Sequence, residues 1–376
     1  MSDNRGFLPG GPSNMNEVPP SLTGKPTSCN SASVGGAPSR RLWWLLISLN
    51  IFFLLVGQTT ATLLGRFYYD QGGNSKWMAT LVQTIGFPFL FFVLLFFPRS
   101  KTSSSPSTPL LHLSLIYLVL GLIIAGDNLM YSYGLLYLPV STYSLICASQ
   151  LAFNSIFSYF INSQKFTALI FNSVVLLTFS AALLGVNEDS EGSSDLSHKY
   201  YVLGFVLTLG ASATYSLILS LMQLSFEKVI KRETFSAVLD MQIYTALVAA
   251  CASVVGLFAS GEWTGLKEEM EGFKSGKVSY ILTLVGTAVS WQVASIGVVG
   301  LVFVVSSLFS NVISTLALPV IPVFAVIFFK DTMDGVKVIA MLIAIWGFAS
   351  YVYQHYLDDL NGKRDAEENR RDVSQV

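Results

Sequence analysis

Charge is the scarcest property of this sequence. Asp, Glu, Lys and Arg make up 12% of its 376 residues, about half of the roughly 25% found in soluble globular domains. So few charges cannot solvate a soluble surface of this size, and a net charge of −1 presents no basic field to nucleic acid. Cysteine is scarcer still. Cys29, Cys147 and Cys251 are odd in number and far apart, which excludes a disulfide framework and a metal cluster, and the last two read as small buried side chains. No Gly-rich phosphate loop follows a strand pattern, and HExxH, GxSxG and paired Cys/His groups are missing. The three histidines, His112, His198 and His355, lie near the ends of apolar runs. An enzyme is therefore not expected, nor a metal or cofactor. A channel would need a carbonyl filter motif or a ring-forming charge repeat, and neither occurs.

What the chain has instead is long apolar stretches, with 52% hydrophobic residues and a mean hydropathy of +0.57. Ten of them reach the ~20 residues needed to cross a ~30 Å hydrocarbon core. They cover 42–64, 77–97, 110–134, 138–161, 166–186, 200–224, 235–259, 279–302, 305–329 and 335–356. Two boundaries carry no charge to mark them. The 52 uncharged residues between Lys277 and Lys330 would make a helix of about 78 Å, so they form two spans with a turn near Val304–Ser306. Apart from Asp127 and His112, the run from Lys101 to Lys165 behaves the same way, with its turn at Leu136–Pro139 and Pro139 opening the next helix.

These two hairpins are related. GLLYLPVSTYSLICASQLAFN, from Gly134, and GLVFVVSSLFSNVISTLALP, from Gly300, align without a gap at an offset of 166 residues. Gly134 falls on Gly300, Leu135 on Leu301, Ser141 on Ser307 and Ser144 on Ser310. The same offset lays spans one to five over six to ten, with the first pair displaced by several residues. Five is odd, so the halves enter the membrane in opposite directions. The expected fold is all-α: ten transmembrane helices as a 5+5 inverted repeat, as in secondary transporters.

The expected organisation is a disordered tail at 1–38, a first repeat at 39–186, an acidic loop at 187–199, a second repeat at 200–357 and a charged tail at 358–376. The N-terminal tail lacks the apolar core of a cleaved signal peptide, which leaves targeting to the first span. Ten basic residues against eight at the two faces place both termini in the cytoplasm.

Polar groups at membrane depth are few. Asp127, in DNLMYSYG, is the carboxylate well inside a span, a position that calls for a cavity or a partner. Asp240 lies near the start of the seventh span, where it can serve as a second proton carrier or simply reach the headgroups. Gln58, Gln83, Asn128, Gln150, Gln292 and Asn311 offer a donor and an acceptor each, as the edge of a heterocycle demands, though such amides also join helices. Trp291 and Tyr131 can stack on a flat ring. No Lys or Arg lies deep in an expected span, so a phosphorylated substrate would lack a counter-ion.

With these residues in view, the chain resembles the plant purine permease family of the drug/metabolite transporter superfamily. The resemblance is carried by GQTTATLLGRFYYDQGGNSKWMATLVQTIGFP (57–88), YGLLYLPVSTYSLICASQLAFNSIFSYF (133–160) and NSQKFTALIFNSVVLL (162–177). The second half adds FASGEW (258–263), WQVASIGVVGLVFVVSSLFSNVISTLALPV (291–320) and GVKVIAMLIAIWGFASYVYQHYLDD (335–359). It departs at Asp240, where the family often carries Glu. The resemblance implies proton-coupled import of purine bases, cytokinins and some alkaloids, with the proton as coupling ion and membrane lipid as the surroundings. The plasma membrane is the expected location, with an internal membrane as the alternative. A nucleotide-sugar exchanger of the same fold and a non-transporting receptor are the rival readings.

Overall fold

A computed structural model describes residues 40–91, 110–162, 167–187, 195–225, 228–229, 235–304 and 307–374. Contacts divide the chain into one unit over Pro38–Leu357 and a second formed by its two ends. The described part of that second unit, 358–374, the charged tail of the sequence reading, is α-helical. Its Lys, Arg, Glu and Ala are good helix formers, so a charged composition is no barrier to a helix. The expected disorder of 1–38 falls outside the described residues.

Helices are α1 (Arg40–Asp70), α2 (Lys76–Thr84), α3 (Leu110–Tyr137), α4 (Val140–Cys147), α5 (Gln150–Asn162) and α6 (Ala168–Asn187). They continue as α7 (Asp195–Ser225), α8 (Phe235–Ala259), α9 (Leu266–Gly272), α10 (Lys277–Val304), α11 (Ser307–Phe329) and α12 (Gly335–Ser374), with a 3-10 turn at Glu262–Gly265 before α9. No strand occurs among the described residues. Among the described residues, seven stretches are long and apolar enough to cross a membrane: α1, α3, α4 with α5, α7, α8, α10 and α12. Shorter apolar stretches lie in α6 and α11. All fall on expected spans, and large apolar side chains such as Leu111, Phe160 and Val278 stay exposed along them, as lipid-facing surfaces require. The chain is a multi-pass integral membrane protein.

Several boundaries differ from the sequence reading. The second and fourth spans, read there as single helices, are both broken. α2 ends at Thr84, a turn runs through Ile85–Phe87, and Pro88 opens a new helical turn. Pro cannot donate to the preceding turn, and it suits the first position of the next. Between α4 and α5 the ladder tightens at Ala148–Ser149, where Ser149 N–H donates to Ile146 O at 2.9 Å, a 3-10 pattern. Pro139 is the N-cap of α4 rather than its first helical residue. The acidic loop is shorter than expected because α7 starts at Asp195. The expected turn near Val304–Ser306 falls at 305–306, outside the described residues, except for Val304, which ends α10.

α1 also runs to Asp70, past the expected end at 64, and so takes Arg66 into the helix. The Arg66 guanidinium pairs with Asp70 at 2.9 Å. It also donates to the carbonyls of Leu135 (3.0 Å) and Leu138 (2.8 Å) at the C-terminal end of α3. A cation suits that negative end of the helix dipole, and this lets a basic residue stay at the end of a span.

Helix pairing follows the placement of small residues. α1 packs along α10, and α3 packs along α7 and α8. Shorter seams join α2 to α8, α4 to α11, α5 to α7 and α1 to α11. A Cβ on Gly57 would lie 2.6 Å from Ala294 N, and one on Gly297 2.6 Å from Leu54 N, so backbone meets backbone along the α1–α10 seam. Gly300 on α10 seats Asn50 of α1, while Gly134 on α3 seats Thr208 of α7.

Candidate functional site

A narrow cavity lies among the α1, α2, α3, α4 and α10 ends nearest the 71–75 and 260–276 loops. Its free volume, about 30 Å³, holds roughly one or two waters. α1 presents Thr62, Gly65 and Tyr69. Together with Gln58 these follow an i, i+4, i+7, i+11 series, one face of a helix. α10 presents Leu284, Thr287 and Trp291 at i, i+3 and i+7. Tyr68, Tyr69, Tyr131, Tyr143 and Trp291 give five aromatic rings, and none of the described lining residues is charged. Tyr131 and Tyr143 meet edge to face, with centroids 6.0 Å apart.

Gln83 sits in the last turn of α2, just before the break. Its Nε2 donates to Ser132 Oγ (3.1 Å) and to the carbonyls of Ala79 (3.2 Å) and Asn128 (3.3 Å). Ser132 in turn donates to Asn128 O at 2.8 Å and meets Thr80 Oγ1 at 3.1 Å. The Tyr69 hydroxyl, on a residue only 8% exposed, lies beside Ser132 but makes no well-formed hydrogen bond. An unpartnered buried hydroxyl facing a cavity is free to bind a ligand.

Of the residues singled out from the sequence, the structure brings Gln83, Tyr131 and Trp291 together at this cavity. Asn128 takes part through its backbone carbonyl. The others lie elsewhere. Gln58 Oε1 accepts from Ser314 Oγ at 3.1 Å, tying α1 to α11. Gln150 Nε2 reaches Thr315 Oγ1 at 3.5 Å, and its carbonyl accepts from Ser216 of α7. Gln292 is buried against Gly86 at the α2 break, with Oε1 unpartnered. The Asn311 side chain is outside the described residues.

Asp127 is 2% exposed, and its Oδ1 has no partner. It lies four residues before Tyr131, about 6 Å along α3, within electrostatic reach of Tyr131, Tyr143, Tyr215 and Cys147. Asp240 lies beside Tyr117, whose ring stacks on Tyr244 with centroids 5.5 Å apart. Tyr117 precedes Asp127 by ten residues, or about 15 Å of α3. The two acids therefore occupy different depths, and Asp127 lies one helical turn from Tyr131, which lines the cavity, without lining it itself.

Tyr68, Tyr69, Thr62, Tyr143 and Thr287 line the cavity but were not singled out from the sequence. Following the face of α1 that begins at Gln58 would have found Thr62 and Tyr69. Thr287 and Tyr143 carry no comparable signal.

Comparison with known proteins decides the family. Residues 45–361 match a family model described as purine nucleobase transmembrane transport. The chain belongs to the purine permease family. Among its Arabidopsis thaliana relatives, "Probable purine permease 11" is 64% identical over 344 residues, covering 89% of this chain and 91% of the relative. "Probable purine permease 10" is 58% identical over 327 residues, covering 86% and 84%. "Purine permease 21" is 56% identical over 327 residues, with the same coverage. Permeases are transporters, and no catalytic family is indicated by these relatives.

Proposed function

We propose that this purine permease imports purine nucleobases and related heterocycles by proton-coupled alternating access. Cytokinins and alkaloids fall in the same chemical range. The observation that carries the reading is the uncharged, aromatic-lined cavity next to a buried carboxylate. Trp291 or Tyr131 stacks on the ring, while the Gln83 amide and the Tyr69 hydroxyl meet its edge. Gln58, Asn128, Gln150, Gln292 and Asn311 act around this site, either in helix contacts that change as the halves move or at the ligand in a wider state. Asp127 carries the proton, since it lies one turn from the cavity residue Tyr131 and has an unpartnered oxygen. Asp240, beside Tyr117, is the second candidate.

The transport cycle rests on two five-helix halves in a 5+5 inverted repeat of ten spans. The helix seams support it: α1 with α10 mirrors α7 with α3, and Gly300 on Asn50 mirrors Gly134 on Thr208. The breaks in the second and fourth spans are of the kind that marks transporter sites. Both termini lie in the cytoplasm and the plasma membrane is the site of action.

Uptake of labelled adenine by cells expressing the chain tests the function, and should rise as the outside is acidified. Asp127→Asn should abolish that pH dependence and Asp240→Asn should leave it. Retention of pH-dependent uptake in both variants would remove the proton assignment. Counterflow in proteoliposomes separates transport from binding.

A further inference from the structure

The α1–α2 loop and the α8–α10 loop, one from each half of the chain, are tied to each other beside the cavity. Glu269 of α9 accepts from the Asn74 N–H (2.9 Å), the Ser75 N–H (3.0 Å), the Tyr280 hydroxyl (3.1 Å) and the Tyr68 hydroxyl. Glu262 accepts from Ser75 Oγ at 2.7 Å and Trp77 N–H at 3.1 Å, at the N-terminus of α2, where the dipole favours a carboxylate. Phe273, 3% exposed, wedges between them with its ring against Phe67 and Tyr280. Tyr68 belongs to both structures: its ring lines the cavity and its hydroxyl donates to Glu269. Hydrogen bonds to a charged acceptor are the strong class, and three of the four on this carboxylate cross from the α1–α2 side, with the Tyr280 bond fixing Glu269 to its own side.

We propose that Glu269 is the latch that holds the cavity shut on this face, acting through Tyr68 and the 74–75 backbone. Any motion that parts the two loops must break three of its four bonds, those from Tyr68, Asn74 and Ser75, because Tyr280 lies on α10 in the same half as Glu269. The cavity's free volume of about 30 Å³ is far below the ~300 Å³ at which ligand pockets begin, so the latched state excludes a ring. Opening releases Tyr68 from Glu269 and widens the space beside Trp291. Glu269 is thus a positioning residue: it touches no ligand but sets which state the cavity adopts. The inference rests on the alternating-access reading.

The test uses the full chain in cells, with Cys29, Cys147 and Cys251 replaced by Ala and one cysteine introduced. Val82→Cys reports the cavity; Gly265→Cys, on the exposed cap, reports which side that cap faces. A membrane-impermeant maleimide is applied from outside, then to inside-out vesicles. With Glu269 intact, Gly265→Cys reacts quickly from one side and Val82→Cys slowly. Adding Glu269→Ala should speed Val82→Cys labelling from that same side by at least ~10-fold, the response to weakening the closed state by about 1.4 kcal/mol. Glu269→Gln, which keeps the shape and one carbonyl acceptor, should give a smaller rise and covers the case in which the Ala variant is not recovered. Unchanged Val82→Cys labelling in both overturns the latch. The side on which Gly265→Cys reacts tests orientation alone, and adenine uptake in the parent tests transport alone, so the three failures are distinguishable.

Discussion

Asp127 and Glu269 each stand behind a tyrosine of the cavity wall, Tyr131 and Tyr68 respectively, yet their surroundings are opposite. Glu269 spends its oxygens on four donors from three segments and stays at the edge of the bundle. Asp127 lies one turn beneath Tyr131, 2% exposed, with Oδ1 facing no donor. A saturated carboxylate holds shape, because losing it strands several donors together. A buried carboxylate with an open oxygen does little for shape and is costly while ionised, so it is suited to take up and give back a proton. On the proposed reading, the difference separates the part of the site that keeps geometry from the part that would carry the proton.

The contrast holds only while the helices beneath it keep their spacing, which gives the largest expected effect. Gly297→Leu places a branched side chain where even a Cβ would lie 2.6 Å from Leu54 N. The α1–α10 seam would have to open, and folded protein recovered by size-exclusion chromatography in detergent should be nearly lost. Normal recovery would mean that this seam is not built on backbone contact.

Asp127→Asn should come next. It preserves shape and removes the titrating group, so folded yield should stay near parental while adenine uptake falls to near background and no longer responds to outside pH. Trp291→Ala then sharpens the ligand side of the comparison. Loss of one stacking face, about 0.5–1.5 kcal/mol, should raise KM for adenine by about 2–12-fold. An unchanged KM would move the ring away from Trp291.

Much of this was legible beforehand, for identifiable reasons. Lipid imposes length and hydropathy on every span, so the helices could be placed from apolar runs alone. Asp127 stood out because a carboxylate in such a run is rare, and Gln83, Tyr131 and Trp291 because they are polar or flat at membrane depth. The breaks at Ile85–Phe87 and Ala148–Ser149 were not read, since hydropathy is continuous through both. Gln58 and Gln150 were read as equal to Gln83, because a sequence does not reveal whether an amide turns to a neighbouring helix or to a cavity. Glu269 was not singled out from the sequence. Its role depends on Tyr68 and Asn74, some 200 positions away, and no local pattern records such a pairing.

An effect as small as that of Trp291→Ala tests the point at which the two regions touch. Tyr69 follows Tyr68 in α1, and the two rings meet edge to face with centroids 5.1 Å apart. Tyr68 gives its hydroxyl to the latch, whereas the Tyr69 hydroxyl is unpartnered within the cavity wall. Tyr69→Phe keeps the ring and removes only that oxygen, which makes no bond in the closed state, so fold and cap should be unaffected. If the hydroxyl meets the edge of the ligand, the loss is one neutral hydrogen bond, about 0.5–1.5 kcal/mol, and KM for adenine should rise by about 2–12-fold at unchanged maximal rate. The same substitution at Tyr68 removes a donor to Glu269 and should instead speed Val82→Cys labelling. If Tyr69→Phe speeds labelling as Tyr68→Phe does, and leaves KM alone, Tyr69 belongs with the latch, and the boundary between shape and ligand lies deeper, at Tyr131.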